Sequence, residues 1–118
     1  IADKVIFYGV TDKVEQLLWA MDIFVFPSRF EGLGIVAVEA QAAGLPVICS
    51  DGVPNEAVVS DLVQKVDLRS GVDSWVESIL HCQVGVDRLA VHEQVQKSGF
   101  AVADVADRIE KVYLGLRN

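Results

Sequence analysis

Residues 22–51 read DIFVFPSRFEGLGIVAVEAQAAGLPVICSD, from Asp22 to Asp51, and the order of apolar runs and breakers in this stretch decides the fold. Ile23 to Phe26 is continuously apolar, without alternation, as expected of a parallel strand covered by helices on both faces. Pro27 ends the run because it cannot donate to a strand ladder. Ser28 to Gly34 is a polar, glycine-bearing loop. Ile35 to Ala43 contains no breaker and consists mostly of good helix formers, with Gly44 placed to close it. Val47 to Cys49 then forms the next strand. Strand, loop, helix and strand in this order make one βαβ unit with a right-handed crossover.

The alternation continues outward in both directions. Upstream, Val5 to Tyr8 is a short apolar run of β-formers closed by Gly9, and it reads as a buried strand. Asp12, with Glu15 following, has the form of a capping box, and Val14, Leu17, Leu18 and Met21 fall on one helical stripe that must cover the sheet. Downstream, a helical turn is expected at Glu56 to Val59 and a strand at Leu62 to Val66. Ser74 and Glu77 form a second capping-box pattern, ahead of a helix that buries Trp75, Val76, Ile79 and Leu80. A polar helix follows from Asp87 to Lys97. Val102, Val105, Ala106, Ile109, Val112, Tyr113 and Leu116 recur at helical intervals and predict a final amphipathic helix. The fold class is therefore α/β: a Rossmann-like parallel sheet with flanking helices. Such sheets take ligands outside the C-terminal ends of their strands, where the Ser28 to Gly34 loop lies.

Composition narrows the function. The 118 residues are 52% hydrophobic and 23% charged, which suits one domain with its own core. Lys and Arg total 10 against 17 Asp and Glu, and the net charge of −7 repels nucleic acid and anionic headgroups. Cys49 and Cys82 match neither a zinc ligand set nor a disulfide framework, which points to a reducing, cytosolic compartment. The apolar stretch Ile35 to Ile48 is interrupted by Glu39, Gln41, Gly44 and Pro46 and is too short to span a bilayer. Ile1-Ala2-Asp3-Lys4 lacks the layout of a signal peptide and leads almost directly into the first expected strand, so a piece of a longer chain is expected. His81 and His92 have no Cys or carboxylate set at ligand spacing, and no metal or cofactor is indicated. Ser28 lacks the Gly-x-Ser-x-Gly context of a hydrolase elbow. Trp19, Trp75 and Tyr113 sit at helical core spacing, where packing explains them better than base stacking.

The residues that carry chemistry lie in the opening stretch. Gly32 and Gly34 flank Leu33 just before the Ile35 helix, where exposed amides and the positive end of the helix dipole favour a phosphate. Turn formation alone is the ordinary explanation for such a pair. Glu39 is the one charged residue between Glu31 and Asp51, in a stretch that otherwise reads as buried, and a buried carboxylate needs donors. Leaning toward the helix N-terminus, it is expected to meet a neutral donor such as a ribose diol near the phosphate. A solvent-facing Glu39 is the bland alternative. Glu31, in the loop, need not share its helical face, so the two carboxylates could grip opposite ends of one ligand.

Asp22 to Asp51 closely resembles the donor-site signature of family 4 glycosyltransferases of the GT-B fold, with Glu31 and Glu39 matching its Glu-seven-residues-Glu motif. The resemblance extends over nearly the whole chain and is most specific in these residues. It implies the later part of a C-terminal donor-binding domain spanning 1–118, with two central strands and an acceptor-binding domain lying before Val5. It assigns Glu39 to the nucleotide ribose, Glu31 to hydroxyls of the moving sugar as the catalytic-site carboxylate, and the backbone of Gly32, Leu33, Gly34, Ile35 and Val36 to the donor diphosphate. The implied reaction moves a hexose-type sugar from a nucleotide-diphosphate-sugar to a sugar or lipid-linked saccharide acceptor, with retention. The donor is a substrate, so no cofactor is implied. Asp51-Gly-Val-Pro-Asn-Glu56 departs from the double-glycine turn common in the family and looks more like branches that build bacterial exopolysaccharide or capsule. The implied place is the cytoplasm, at the inner face of the membrane, and the piece alone is expected to be inactive. A non-catalytic nucleotide or nucleotide-sugar binding module is the alternative. The strand edges left open between Val5 and Ile23 lead to an expectation of self-association.

Overall fold

The structure, a computed structural model, describes residues 1–115. Three parallel strands lie in the order β1 (Phe24–Phe26), β2 (Val47–Ser50) and β3 (Val63–Val66). Val25 pairs with Ile48, and Cys49 pairs in turn with Lys65. Helix α1 (Val14–Ala20) precedes the sheet, and α2 (Ile35–Ala42) carries the crossover from β1 to β2. After β3 come α3 (Val72–His81), α4 (Arg88–Val95), a π-type turn over Gln96–Phe100, and α5 (Val102–Tyr113). The α/β class with a helix-flanked parallel sheet is the one the sequence predicts.

The core forms where the opening stretch places it. All of β2 is buried, which explains its lack of alternation, and Ala37, Ala40 and Ala43 let α2 settle closely on the sheet. Gly44, at φ 72°, ends α2: its amide donates to the Gln41 carbonyl at 2.8 Å and the Leu45 amide to that of Ala40 at 3.0 Å. This is a Schellman motif, and it turns the chain straight into β2 with Leu45 buried. Gln41 is 0% exposed yet fully bonded. Its amide donates to the carbonyls of Ala37 and Ala57 at 2.8 and 2.7 Å, and its Oε1 accepts from the Val59 amide and the Ser60 hydroxyl at 2.9 and 3.0 Å. One side chain thus ties α2 to the segment between β2 and β3.

Several sequence expectations are corrected. Val5 to Tyr8 is not a strand: a short 3-10 turn at Ala2–Lys4 precedes it, and the run is unpaired and exposed. Its backbone is extended at Val5, but a strand needs a hydrogen-bonding neighbour, and none among the described residues lies beside it. Asp12 does not cap α1, which Lys13 opens with its amide bonded to the Thr11 hydroxyl at 3.0 Å. Of the α1 stripe, Leu18 is buried, whereas Val14 and Met21 are exposed. Helix α3 starts before Ser74, so Ser74 and Glu77 lie inside it. Its inward face centres on Ser78, which accepts from Gln64 at 3.0 Å, with Trp75 and Ile79 half-buried and Val76 and Leu80 exposed. Trp19 and Tyr113 are exposed and form no core. The polar helix exists as α4, opened by Asp87, whose carboxylate accepts from the Leu89 and Ala90 amides. Helix α5 also exists, but it has no buried residue, and Leu116 lies outside the described residues. Periodicity names the face that seeks cover without supplying a surface to cover it.

Candidate functional site

Parallel strands point their C-terminal ends one way, so the loops after β1 and β2 meet. Their contact is close. A Cβ on Gly52 would stand 2.5 Å from the Arg29 carbonyl oxygen, so glycine is required there. The Glu31 amide donates to the Gly52 carbonyl at 3.3 Å, and the Ser50 hydroxyl donates to the Ser28 carbonyl. Ser28 in turn donates from Oγ to Glu31 Oε1 at 2.6 Å. Ser28 thus fixes the carboxylate of Glu31, which is half-buried at the loop tip.

Gly34 is the N-cap of α2, buried, with φ 77°. A Cβ there would meet the Val53 side chain at 3.3 Å, so the second loop forms the floor under the helix start. No side chain caps α2. The Ala37 amide bonds to the Gly34 carbonyl at 2.9 Å, while those of Ile35 and Val36 precede the first intrahelical bond. Leu33 packs on the core and Gly32 is exposed with open space beside it. Free first-turn amides, a left-handed glycine and the helix dipole together suit an anion.

Glu39 is placed differently from the sequence expectation: it is exposed, on the side of α2 that does not face the sheet. It lines an open groove of about 720 Å³ between α1, α2 and α4, together with Leu18, Trp19, Leu89 and His92. None of residues 27–34 lines that groove. The bland reading of Glu39 was therefore right about its exposure, because α2 turns Ala37, Val38, Ala40 and Gln41 inward instead. Its Cα stands about 6 Å along the axis from Ile35, at 1.5 Å per residue. Glu31 thus lies before the start of α2 and Glu39 just over one turn into it, on a different surface, and a ligand that touches both must reach along the first turn of the helix.

The histidines serve local structure. His92 Nδ1 lies 3.0 Å from the Ala42 carbonyl and His81 Nδ1 2.8 Å from that of Glu77. Among the described residues no group of three or more His, Cys, Asp or Glu side chains could hold a metal, and no helix is long and apolar enough to cross a membrane. At the strand ends, burial pushes the Cys49 thiol above its usual range, opposed by the nearby Lys65 ammonium. The Arg69 guanidinium bonded to Asp67 holds that carboxyl below its usual range. Sequence reasoning missed the supporting residues Ser28, Ser50, Gly52 and Lys65, whose roles appear once two loops are brought together. Gly52 alone left a signal, as a glycine directly after a strand.

A family profile described as "Glycosyl transferases group 1" matches residues 1–83. EpsF of Bacillus subtilis (strain 168), whose name assigns it provisionally to the glycosyltransferases, is 40% identical over 80 residues, covering 67% of this chain and 21% of its own. The lipopolysaccharide core biosynthesis mannosyltransferase LpsB of Rhizobium meliloti (strain 1021) is 33% identical over 81 residues, 63% of this chain and 23% of its own. The D-inositol 3-phosphate glycosyltransferase of Mycobacteroides abscessus is 32% identical over 126 residues, 96% of this chain and 26% of its own. The chain spans about a fifth to a quarter of the length of these relatives.

Proposed function

The chain belongs to the group 1 glycosyltransferases, and from that premise we propose that it forms the donor side of a retaining, GT-B family 4 enzyme that transfers a hexose from a nucleotide-diphosphate-sugar. The observation that carries this reading is the uncapped start of α2, with Gly34 left-handed and buttressed by Val53. The donor diphosphate takes the amides of Ile35 and Val36. The ribose diol reaches Glu39 over the helix start, and the sugar hydroxyls meet Glu31, whose carboxylate Ser28 already orients. When the bond from the sugar to the diphosphate breaks, negative charge grows on the diphosphate, where the amides and dipole of α2 oppose it without reorganising.

The acceptor in this reading is a saccharide, free or lipid-linked, in polysaccharide assembly at the cytoplasmic face of a membrane. Names among the relatives such as "Lipopolysaccharide core biosynthesis mannosyltransferase" support that direction. No acceptor site is assigned to residues 1–115, and these residues alone are proposed to bind without transferring. The test uses the intact protein. Glu39→Ala weakens both the donor and its free nucleoside diphosphate by about 1.5–3 kcal/mol, through loss of a charged acceptor for the diol. Glu31→Gln lowers turnover far more than nucleoside diphosphate affinity. Unchanged affinity in folded Glu39→Ala rejects the ribose assignment, and binding without transfer by the intact wild type makes the chain a binding module.

A further inference from the structure

We infer that Lys65 is a positioning residue for the anion seat at the start of α2, acting through the loop between β2 and the Asn55–Ala57 turn. Lys65 lies on β3, an edge strand, where an exposed lysine ordinarily serves to discourage pairing with other chains. Its ammonium is engaged otherwise. Nζ donates to the Val53 carbonyl at 2.6 Å and to Asn55 Oδ1 at 2.6 Å. Because Lys65 pairs with Cys49, the strand alternation sets its stem on the Cys49 face of the sheet, from which it reaches up to the loop.

What Lys65 holds is the floor of the site. Val53 is the residue whose side chain meets Gly34, and Gly52 beside it accepts the Glu31 amide and touches the Arg29 carbonyl. A chain of contacts thus runs from the ammonium through Val53 and Gly52 to Gly34 and Glu31. A charged donor spends two of its three protons on this short loop, and both bonds are charge-assisted. Without them the loop keeps the buried Val53 side chain, the Gln41 bond to the Ala57 carbonyl, the bonds at Ser50 and the weak 3.3 Å bond from Glu31, but loses both charge-assisted bonds that fix the Val53 carbonyl and Asn55. Lys65 therefore sets how well the α2 amides are presented, without touching the ligand.

This inference rests on the donor-site reading for its functional consequence, but not for its structural one, and the experiment separates the two. Lys65→Met, which keeps the length and removes the charge, and Lys65→Arg are made in the intact protein. In the absence of ligand, Lys65→Met is expected to accelerate amide hydrogen exchange about tenfold at 51–57 and also at 29–36, with Lys65→Arg close to wild type. Acceleration confined to 51–57, or none, overturns the coupling. In titrations with UDP and with GDP, the Kd of whichever diphosphate the wild type binds is expected to rise about fivefold in Lys65→Met, with kcat at saturating donor falling as well, because the same amides oppose the charge that grows on the diphosphate, and with both restored in Lys65→Arg. An unchanged Kd overturns the functional half. If the wild type binds neither, the titrations are repeated with ADP and dTDP, and failure to bind any of the four rejects the donor-site reading while the exchange data still decide the coupling. Should Lys65→Met not fold, Asn55→Ala removes one of the two bonds on an exposed loop, and a Kd and exchange pattern equal to wild type counts against the proposal.

Discussion

Residues 45–50 and residues 5–10 are both short runs dominated by apolar residues, and their fates are opposite. In the first, Val47 is 0% exposed, between two paired strands and under α2. In the second, Ile6 and Phe7 are 85% and 95% exposed, and nothing among the described residues pairs with them. Composition does not separate these runs; neighbours do. The free energy of burying a side chain, about 25 cal/mol per Å², is available only where another surface comes to meet it. The same contrast holds at the far end, where α5 has a strong apolar stripe and no buried residue. The radius of gyration, 16.2 Å, exceeds the roughly 13.5 Å expected for this length because the two ends stand away from the sheet.

The contrast can be broken first at its buried end. Gln41→Leu is expected to be the most damaging change, because it leaves the Ala57 carbonyl and the Val59 amide without their partner and the Ser60 hydroxyl proton without its acceptor. At about 1–3 kcal/mol for each such group the loss totals about 3 kcal/mol or more. Urea unfolding measures it, and a cost below about 1 kcal/mol would mean that water replaces the side chain and that this region is less tightly determined than it looks. Gly34→Val comes next. A β-branched residue at φ 77° costs about 1–3 kcal/mol and pushes against Val53, so stability and nucleoside diphosphate binding are both expected to fall. Normal diphosphate binding by a folded variant would remove the anion seat.

A smaller effect tests the seam between the two kinds of region. Arg88 donates to the Trp19 and Met21 carbonyls at 3.0 and 2.8 Å, fastening α4 to the end of α1. Arg88→Ala is expected to cost about 1 kcal/mol at an exposed position and to speed exchange in α1 while leaving β2 unchanged. Equal acceleration in β2 would show that the ends and the core open together. Phe7→Ser is expected to have the smallest effect, within about 0.5 kcal/mol, since the ring touches little. A loss of 2 kcal/mol or more in the intact protein would show that a partner covers the run. Light scattering over a concentration series would then tell a second copy, through the self-association expected from open strand edges, from the rest of the same molecule.

The sequence disclosed the core well because its signals there are local. Pro27, Gly44 and the unbroken apolar runs mark the ends of β1, α2 and β2 within about a residue, since each acts through backbone chemistry at its own position. Val5 to Tyr8 carried an equally clear β signal, and it failed because pairing is not local. In the site, Gly34 was legible, whereas the exposure of Glu39 was not: spacing said that the helix is buried but not through which side. Ser28, Gly52 and Lys65 were invisible as support, because their work depends on two loops that are far apart in sequence and adjacent in space.

The buried thiol of β2 has a use of its own. Cys49 has no exposure and a pKa raised by burial, so a thiol reagent cannot reach it while β2 keeps its place. Cys82, half-buried just after α3 with its thiol donating to the Ile79 carbonyl at 3.1 Å, is the more accessible of the two to the same reagent. The protein therefore carries a clock and its own reference: Cys82 reports the intrinsic reactivity, and the lag of Cys49 behind it reads out how seldom the central strand leaves the sheet. Because Val53, whose amide bonds to Ser50 at that strand's end, lies against Gly34, any ligand that settles at the start of α2 should slow the clock, even when nothing is known of the sugar it bears.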